Sequence, residues 1–117
     1  MEATIKLTKR MLDKSEINAN KTVQQFLSDD FGLEYTDPFF TEGSKLTVFG
    51  EYTDGEEVHV NFFRRSGRGD KMLSIQKLKQ YADVGDEVNL SSDSESDGDG
   101  THIYIQVNRS TKADAAR

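Results

Sequence analysis

Cysteine and tryptophan are absent from this 117-residue sequence, and proline occurs once. Without cysteine, the chain cannot form disulfide bonds, thiolate metal sites or a cysteine nucleophile. No apolar run approaches the ~20 residues that a membrane-spanning helix needs, and the first six residues lack the apolar segment of a secretion signal. We therefore expect a cytoplasmic protein that contacts no membrane.

Apolar residues are also scarce, at 34% of the chain, whereas 31% of its residues are charged. A chain of this length is typical of one domain, and this composition favours a modest core with exposed loops. We expect a single α+β domain over residues 1–107. Residues 108–117 carry no apolar pattern and are predicted to form a disordered tail.

The pattern of apolar residues predicts a mixed architecture. Alternation with polar residues predicts strands at 5–7, 45–52, 58–63, 72–73, 88–90 and 101–107. Helical spacing predicts one N-terminal helix over residues 20–31, with Asn20 as its cap and Gly32 as its stop, and one short helix over 75–81. Asp54-Gly55 predicts a hairpin turn. We expect a mostly antiparallel sheet or a partly open barrel.

Candidate catalytic groups are few. The two histidines, His59 and His102, fall within predicted strands, where histidine is usually an ordinary sheet residue. The acidic residues Asp54, Glu56 and Glu57 cluster at a turn, but the following strand lacks the lysine that a metal-dependent nuclease needs. We expect no enzymatic activity, no cofactor and no metal. A small enzyme is the third hypothesis, which requires these acids and a histidine to converge on a metal ion.

Residues 91–100 predict a polar acidic loop between two strands. Its spacing imitates the start of a calcium loop, but Tyr104 stands where the bidentate glutamate is needed. The loop suggests an alternative function, in which a small acidic inhibitor or adaptor, of the kind that mobile elements encode, blocks a basic protein partner. The candidate contacts for that function are Asp93, Glu95, Asp97 and Asp99.

The charge distribution is uneven. The chain carries a net charge of −6, which repels phosphate, yet residues 61–80 contain six basic residues and one acidic residue. Residues 64–71 lack the spacing of a phosphate-binding loop, and they predict a hairpin tip whose guanidinium groups suit phosphate or guanine. The candidate nucleic-acid contacts are Arg64, Arg65, Arg68, Lys71, Lys77, Lys79 and Asn61. The leading hypothesis is a non-enzymatic nucleic-acid-binding domain, with DNA favoured over RNA.

Three features occur together in residues 58–107: a basic connection between two strands, a short helix that ends near Val84, and a Gly85-Asp86 turn into a strand. In these features the segment resembles the DNA-binding pseudobarrel of plant B3 and EcoRII N-terminal domains. The tryptophan usual in that family ahead of the short helix is missing here. The resemblance implies that two arms of loops grip DNA and that Arg64, Arg65, Arg68 and Lys71 belong to one arm. The sequence does not locate the second arm.

Overall fold

The computed structural model describes residues 1–40, 44–65, 67, 69–96 and 98–109. Within them, seven strands are β1 (Glu2–Lys6), β2 (Ile17–Asn18), β3 (Lys45–Tyr52), β4 (Glu57–Arg64), β5 (Lys71–Ile75), β6 (Glu87–Ser92) and β7 (His102–Asn108). Three helices are α1 (Lys9–Lys14), α2 (Lys21–Phe31) and α3 (Leu78–Tyr81). No helix in the described part of the chain is long and apolar enough to cross a membrane.

The strands form one curled sheet, in the order β1-β6-β7-β3-β4-β5-β2, that resembles half of a barrel. Neighbouring strands are antiparallel except β3 and β7, which run parallel. The predicted α+β class and the barrel-like sheet are therefore confirmed. The predicted meander of β3, β4 and β5 is also present, and a short turn containing Gly55, at a φ of 91°, joins its first two strands.

The core lies on the inner, concave side of the sheet. Alternation along β4 buries Val58, Val60 and Phe62, and α2 contributes Val23, Phe26 and Leu27 to the same core. The other side chains of β3, β4, β5 and β7 stand on the opposite, outer face, because successive residues of a strand point to opposite sides. This outer face is the surface on which the candidate site is built.

Local signals determine both ends of α2, as the sequence predicts. The Asn20 side chain accepts a hydrogen bond from the Val23 backbone N–H at 2.9 Å. Gly32 ends the helix at a φ of 70°, and its N–H donates to the carbonyl of Ser28 at 3.0 Å. Glycine adopts this left-handed conformation without steric cost, which makes it a common helix stop.

Several elements differ from the predictions: β2 was not predicted, β1 begins at Glu2, before the predicted strand at 5–7, and two helices differ. The sequence predicts one N-terminal helix, but α1 is a second one; its six residues bury only Leu12, so it carries little apolar pattern. The predicted helix over 75–81 is wrong at its start, because Ile75 is the last residue of β5 and α3 begins at Leu78. Lys77 stands between them with a left-handed φ of 64°, a conformation that belongs to neither a strand nor a right-handed helix.

The C-terminal boundary also differs by one residue. Asn108, predicted as part of the tail, is the last residue of β7, and residues 110–117 lie outside the described residues.

Replacing Asn20 with alanine tests the cap of α2. We expect Asn20→Ala to lower the free energy of unfolding by about 1 kcal/mol, the usual cost of losing an N-cap. Lys21→Ala is the matched control, because Lys21 is exposed and is the next residue of the chain; its effect should stay within about 0.5 kcal/mol. Urea denaturation of both variants measures the difference. Equal effects would show that the cap does not hold this helix.

Candidate nucleic-acid interface

The connection between β4 and β5 is a tight hairpin, as predicted. Arg64 pairs with Lys71 across the two strands, and the Arg65 backbone N–H donates to the Asp70 carbonyl at 2.8 Å. Gly69 has a φ of 73°, a value that glycine reaches without strain. Arg68, a predicted contact, lies outside the described residues. The described part of the tip therefore presents Arg64, Arg65 and Lys71 together.

These three cations differ in their hydrogen-bond and ion-pair partners within the protein. The Arg65 guanidinium forms an ion pair with Glu16, and both side chains are more than a third exposed. The Lys71 ammonium donates to Gln24 at 3.4 Å. The Nε atom of Arg64 is buried and has no hydrogen-bond partner among the described residues. A buried donor without an acceptor costs free energy, so the Arg64 side chain is the least well satisfied of the three.

Helix α1 supplies a second basic wall that the sequence analysis did not locate. Arg10 and Lys14 are four residues apart and therefore share one side of the helix. They face the hairpin across a cleft of about 670 Å³, which Arg65 and Met72 line from the opposite side. Among the described residues, neither Arg10 nor Lys14 forms an ion pair. The cleft is therefore bordered by cations from two separate segments.

The predicted contacts outside the hairpin lie around a second groove. Lys79 lines a groove of about 500 Å³, together with Asn61 and with Lys45, which the sequence analysis did not select. Lys77 also lines it but forms an ion pair with Glu56. Asn61 accepts a hydrogen bond from Thr47 Oγ1 at 2.6 Å and donates to Ser74 Oγ at 3.4 Å. The groove therefore combines lysines with amide and hydroxyl groups.

The groove and the cleft are neighbours, because Met11 of α1 lines both. Arg65 of the hairpin therefore borders one depression and Lys77 and Lys79 border the adjoining one, with α1 between them. Residues 59, 61 and 63 of β4 run along the outer face beside this helix, as expected from their alternation with the core residues. The sequence alone does not give this relation, since it depends on where α1 packs.

Beyond the groove, aromatic rings stand on the outer face. The ring centroid of Phe49 lies 5.5 Å from that of His59 and 6.0 Å from that of His102. Phe49 retains 59% of its accessible surface, and Tyr104 on the adjacent strand retains 46%. These residues were predicted as ordinary sheet positions. Their grouping follows from the pairing of β3 with both β4 and β7.

The acidic loop between β6 and β7 is folded by its own carboxylates. Asp93 accepts hydrogen bonds from the backbone N–H groups of His102, at 3.0 Å, and Thr101, at 2.8 Å. Asp99 accepts from the hydroxyls of Ser94 and Ser96 and from the backbone N–H groups of Glu95 and Ser96. Because these bonds favour the ionised form, the pKa of each aspartate lies below its usual range, through His102 N–H for Asp93 and the Ser94 hydroxyl for Asp99.

The same loop is fastened to the end of α2. The N–H of Gly98 donates to the Asp29 carbonyl at 2.9 Å, and that of Gly100 donates to the Asp30 carbonyl at 2.7 Å. A Cβ on Gly100 would lie 2.6 Å from this Asp30 oxygen, so only glycine fits there. Of the other predicted acidic contacts, Glu95 is exposed and Asp97 lies outside the described residues. Two of the four predicted acids are therefore structural groups of the loop.

The acidic turn before β4 also forms hydrogen bonds within the protein. Asp54 accepts a hydrogen bond from the Tyr81 hydroxyl at 2.8 Å and another from the Glu56 N–H at 2.9 Å. Desolvation, followed by the bond to Asp54, raises the pKa of Tyr81 to about 12. In the described part of the chain, no three histidine, aspartate or glutamate side chains converge closely enough to hold a metal ion.

Comparison with known proteins identifies no relative. No protein-family model matches the chain, and neither the curated proteins nor the solved structures give a significant match. The resemblance to the DNA-binding pseudobarrel therefore stays a prediction. The interpretation of the cleft, the groove and the aromatic face depends on their own geometry.

The depressed pKa of Asp93 predicts a pH dependence of stability. A carboxyl whose folded pKa lies below its unfolded value of ~3.9 stabilises the protein above that value and loses this contribution as the pH falls. We therefore expect Asp93→Asn to lower the melting temperature at pH 7 and to have a progressively smaller effect below about pH 4. Glu95→Gln, in the same loop, is the control. Thermal melts from pH 7 to pH 2.5 measure both; a constant difference between Asp93→Asn and wild type would contradict the assignment.

Proposed function

We propose that this protein binds nucleic acid without catalysing a reaction on it, and that duplex DNA enters the cleft between α1 and the β4–β5 hairpin. One observation carries the proposal: Arg10 and Lys14, distant in sequence from Arg65, line the same cleft opposite it. Cations on two sides of a depression can contact phosphates on both strands of a duplex. We propose DNA and not RNA as the ligand, because residues 58–107 resemble a family of DNA-binding pseudobarrels.

Three cations, Arg10, Lys14 and Arg65, and two acids, Glu16 and Asp70, line the cleft, which leaves a small excess of positive charge for a phosphate. Arg10 and Lys14 have no ion-pair partner among the described residues, so they can bind phosphate without breaking an internal contact. Arg65 must leave Glu16, but an ion pair this exposed contributes only about 0–1 kcal/mol. A phosphate can therefore replace Glu16 as the partner of Arg65 at small cost. The guanidinium fork of arginine suits two phosphate oxygens at once.

The net charge of −6 restricts where phosphate can approach. Acidic residues outside the cleft repel a polyanion, so binding is confined to the surface where cations converge. Arg64 lines a neighbouring depression with Lys45, Asn61 and Phe63 instead of the cleft. The proposal thus assigns Arg65 to one wall of the cleft and Arg10 and Lys14 to the other.

The alternative proposal, an acidic inhibitor or adaptor that blocks a basic protein, has less support. It assigns the contacts to the β6–β7 loop, but Asp93 and Asp99 direct their oxygens into the loop itself. Glu95 and Asp99 are exposed among the described members of that set, but the Asp99 carboxylate already accepts hydrogen bonds from Ser94, Glu95 and Ser96. A basic partner would therefore find fewer available carboxylates there than the sequence suggests.

Alanine substitutions on α1 test the cleft. We expect Arg10→Ala and Lys14→Ala each to weaken duplex binding about five-fold at ~0.15 M salt, and each to reduce the slope of log affinity against log salt by about one. Lys9→Ala is the matched control, because Lys9 lies on the same helix, loses the same charge and is paired with Asp13 outside the cleft. Fluorescence anisotropy with a labelled duplex measures all three variants across a salt series.

Two results would contradict the proposal. One is the absence of saturable duplex binding even at low salt. The other is an equal loss in Lys9→Ala and Lys14→Ala at ~0.15 M salt, where charges farther apart than about 8 Å are largely screened, because it would show general attraction without a defined cleft.

A gain of affinity is expected at Glu16. Glu16→Gln removes an acidic group from the cleft and releases Arg65 from its ion pair. We expect duplex binding to strengthen by up to about five-fold, the contribution of one phosphate contact at ~0.15 M salt. Glu95→Gln makes the same change in charge on the β6–β7 loop and should leave the affinity unchanged. An equal gain in both variants would mean that only net charge matters.

A further inference from the structure

The outer face beside the cleft exposes a group of aromatic rings that the core does not need. Phe49 is 59% exposed and Tyr104 is 46% exposed, and the His59 and His102 side chains are exposed beside them. Single exposed apolar residues are common, but here two of them, on β3 and β7, adjoin imidazole rings on β4 and β7 and form an aromatic patch. Such patches on a small protein usually mark a binding surface.

The rings form an ordered row. Phe49 of β3 lies directly across from His59 of β4 on one side and from His102 of β7 on the other. The rings of Phe49 and His102 are stacked at an interplanar angle of 25°, whereas that of His59 is tilted by 50°. The Nδ1 atom of His102 lies 3.0 Å from Thr101 Oγ1 and 3.5 Å from Asp93. The row is therefore positioned before any ligand arrives.

A polar, positively charged surface connects this row with the cleft. On β4, Phe63 near the hairpin and His59 in the row are four residues apart, which corresponds to roughly 13 Å. Between them lie Asn61 and the groove of about 500 Å³, which three lysines line: Lys45, Lys77 and Lys79. Among the described residues, no aspartate or glutamate lines this groove. In an acidic chain, this arrangement is complementary to a polyanion.

The far side of the row has the opposite charge. Glu51 and Glu57 face each other two residues further along β3 and β4, and Tyr104 pairs with Glu51. Directly opposed acids repel phosphate and limit how far a nucleic acid can extend. A nucleic acid on this surface would therefore run from the basic cleft along the groove and end at the aromatic row.

We propose that the outer face binds the unpaired bases of a single strand, which stack on Phe49 and the adjacent imidazoles while Lys45 and Lys79 contact its phosphates. This inference rests on the proposed nucleic-acid function and specifies the ligand as a duplex that continues into a single strand. Bases inside a duplex present only their edges, whereas unpaired bases offer a ring face to an aromatic side chain. The roughly 13 Å along β4 from Phe63 to His59 corresponds to about four nucleotides of a stacked strand.

The test uses the full chain and three labelled DNAs: a blunt duplex, a single strand, and the same duplex with a six-nucleotide overhang at each end. We expect Phe49→Ala to weaken binding of the single strand and of the overhang duplex about ten-fold, as for the loss of one base–aromatic stack. Its binding of the blunt duplex should stay unchanged. Phe49→Tyr, which keeps a ring, should retain the affinity of wild type.

The matched control is Phe39→Ala, because Phe39 is also exposed, at 48%, but packs against Phe40 away from the row. It should bind all three DNAs as wild type does. Circular dichroism and thermal melts of both variants verify that they are folded. A single-stranded RNA of the same sequence is included; equal binding of RNA, also lost in Phe49→Ala, supports the stacking surface.

The outcomes separate this inference from the proposed function. If Arg10→Ala weakens duplex binding but wild type prefers neither the single strand nor an overhang, the stacking surface is wrong and the cleft stands. If Phe49→Ala reduces self-association, measured by sedimentation, and leaves single-strand binding intact, the row is an interface between copies of the chain and the inference is overturned. If wild type binds none of the DNAs, both proposals fail.

Discussion

The parallel pairing of β3 with β7 is the contact on which the rest of the structure depends. It joins β1, β6 and β7 to β3, β4, β5 and β2, which would otherwise be two separate sheets. The inner side chains of the two groups then share one core, with Gly50 of β3 close to Val60 and Ile105. Because side chains alternate with a period of two, a slip of one residue would bury Phe49 and expose Val48.

Several aspartates of the described residues accept hydrogen bonds that stabilise the fold. Asp30 is buried and accepts a hydrogen bond from Ser92 at 2.6 Å, while Asp93 and Asp99 fold the loop that follows. Asp54 binds Tyr81 in the same manner. The basic residues of α1 and of the hairpin form fewer such internal contacts, and their ion pairs are on the surface. Carboxylates thus hold the loops, and cations remain available around the cleft, although the chain as a whole is acidic.

The sequence predicts those elements whose signals are local. Asn20 and Gly32 mark both ends of α2 directly, and Asp54-Gly55 marks the β3–β4 turn. Helix α1 has six residues and one buried side chain, so its stability comes from packing that no local pattern records. The β3–β7 pairing joins residues about fifty positions apart and leaves no trace in either strand. Its absence from the prediction is also why the aromatic row was not foreseen.

In the candidate site, too, the sequence reveals some of the residues and only the fold reveals the others. The hairpin cations form a local surplus of charge, and the sequence therefore reveals them. Arg10 and Lys14 stand in a segment that also contains Asp13 and Glu16, so the surplus of basic charge there is smaller than at the hairpin. Only the fold brings them opposite Arg65. Since Met11 lines both the cleft and the groove, α1 separates a surface suited to phosphates from one that leads to rings. A ligand that spans both would bind the second at a high effective concentration once the first is engaged.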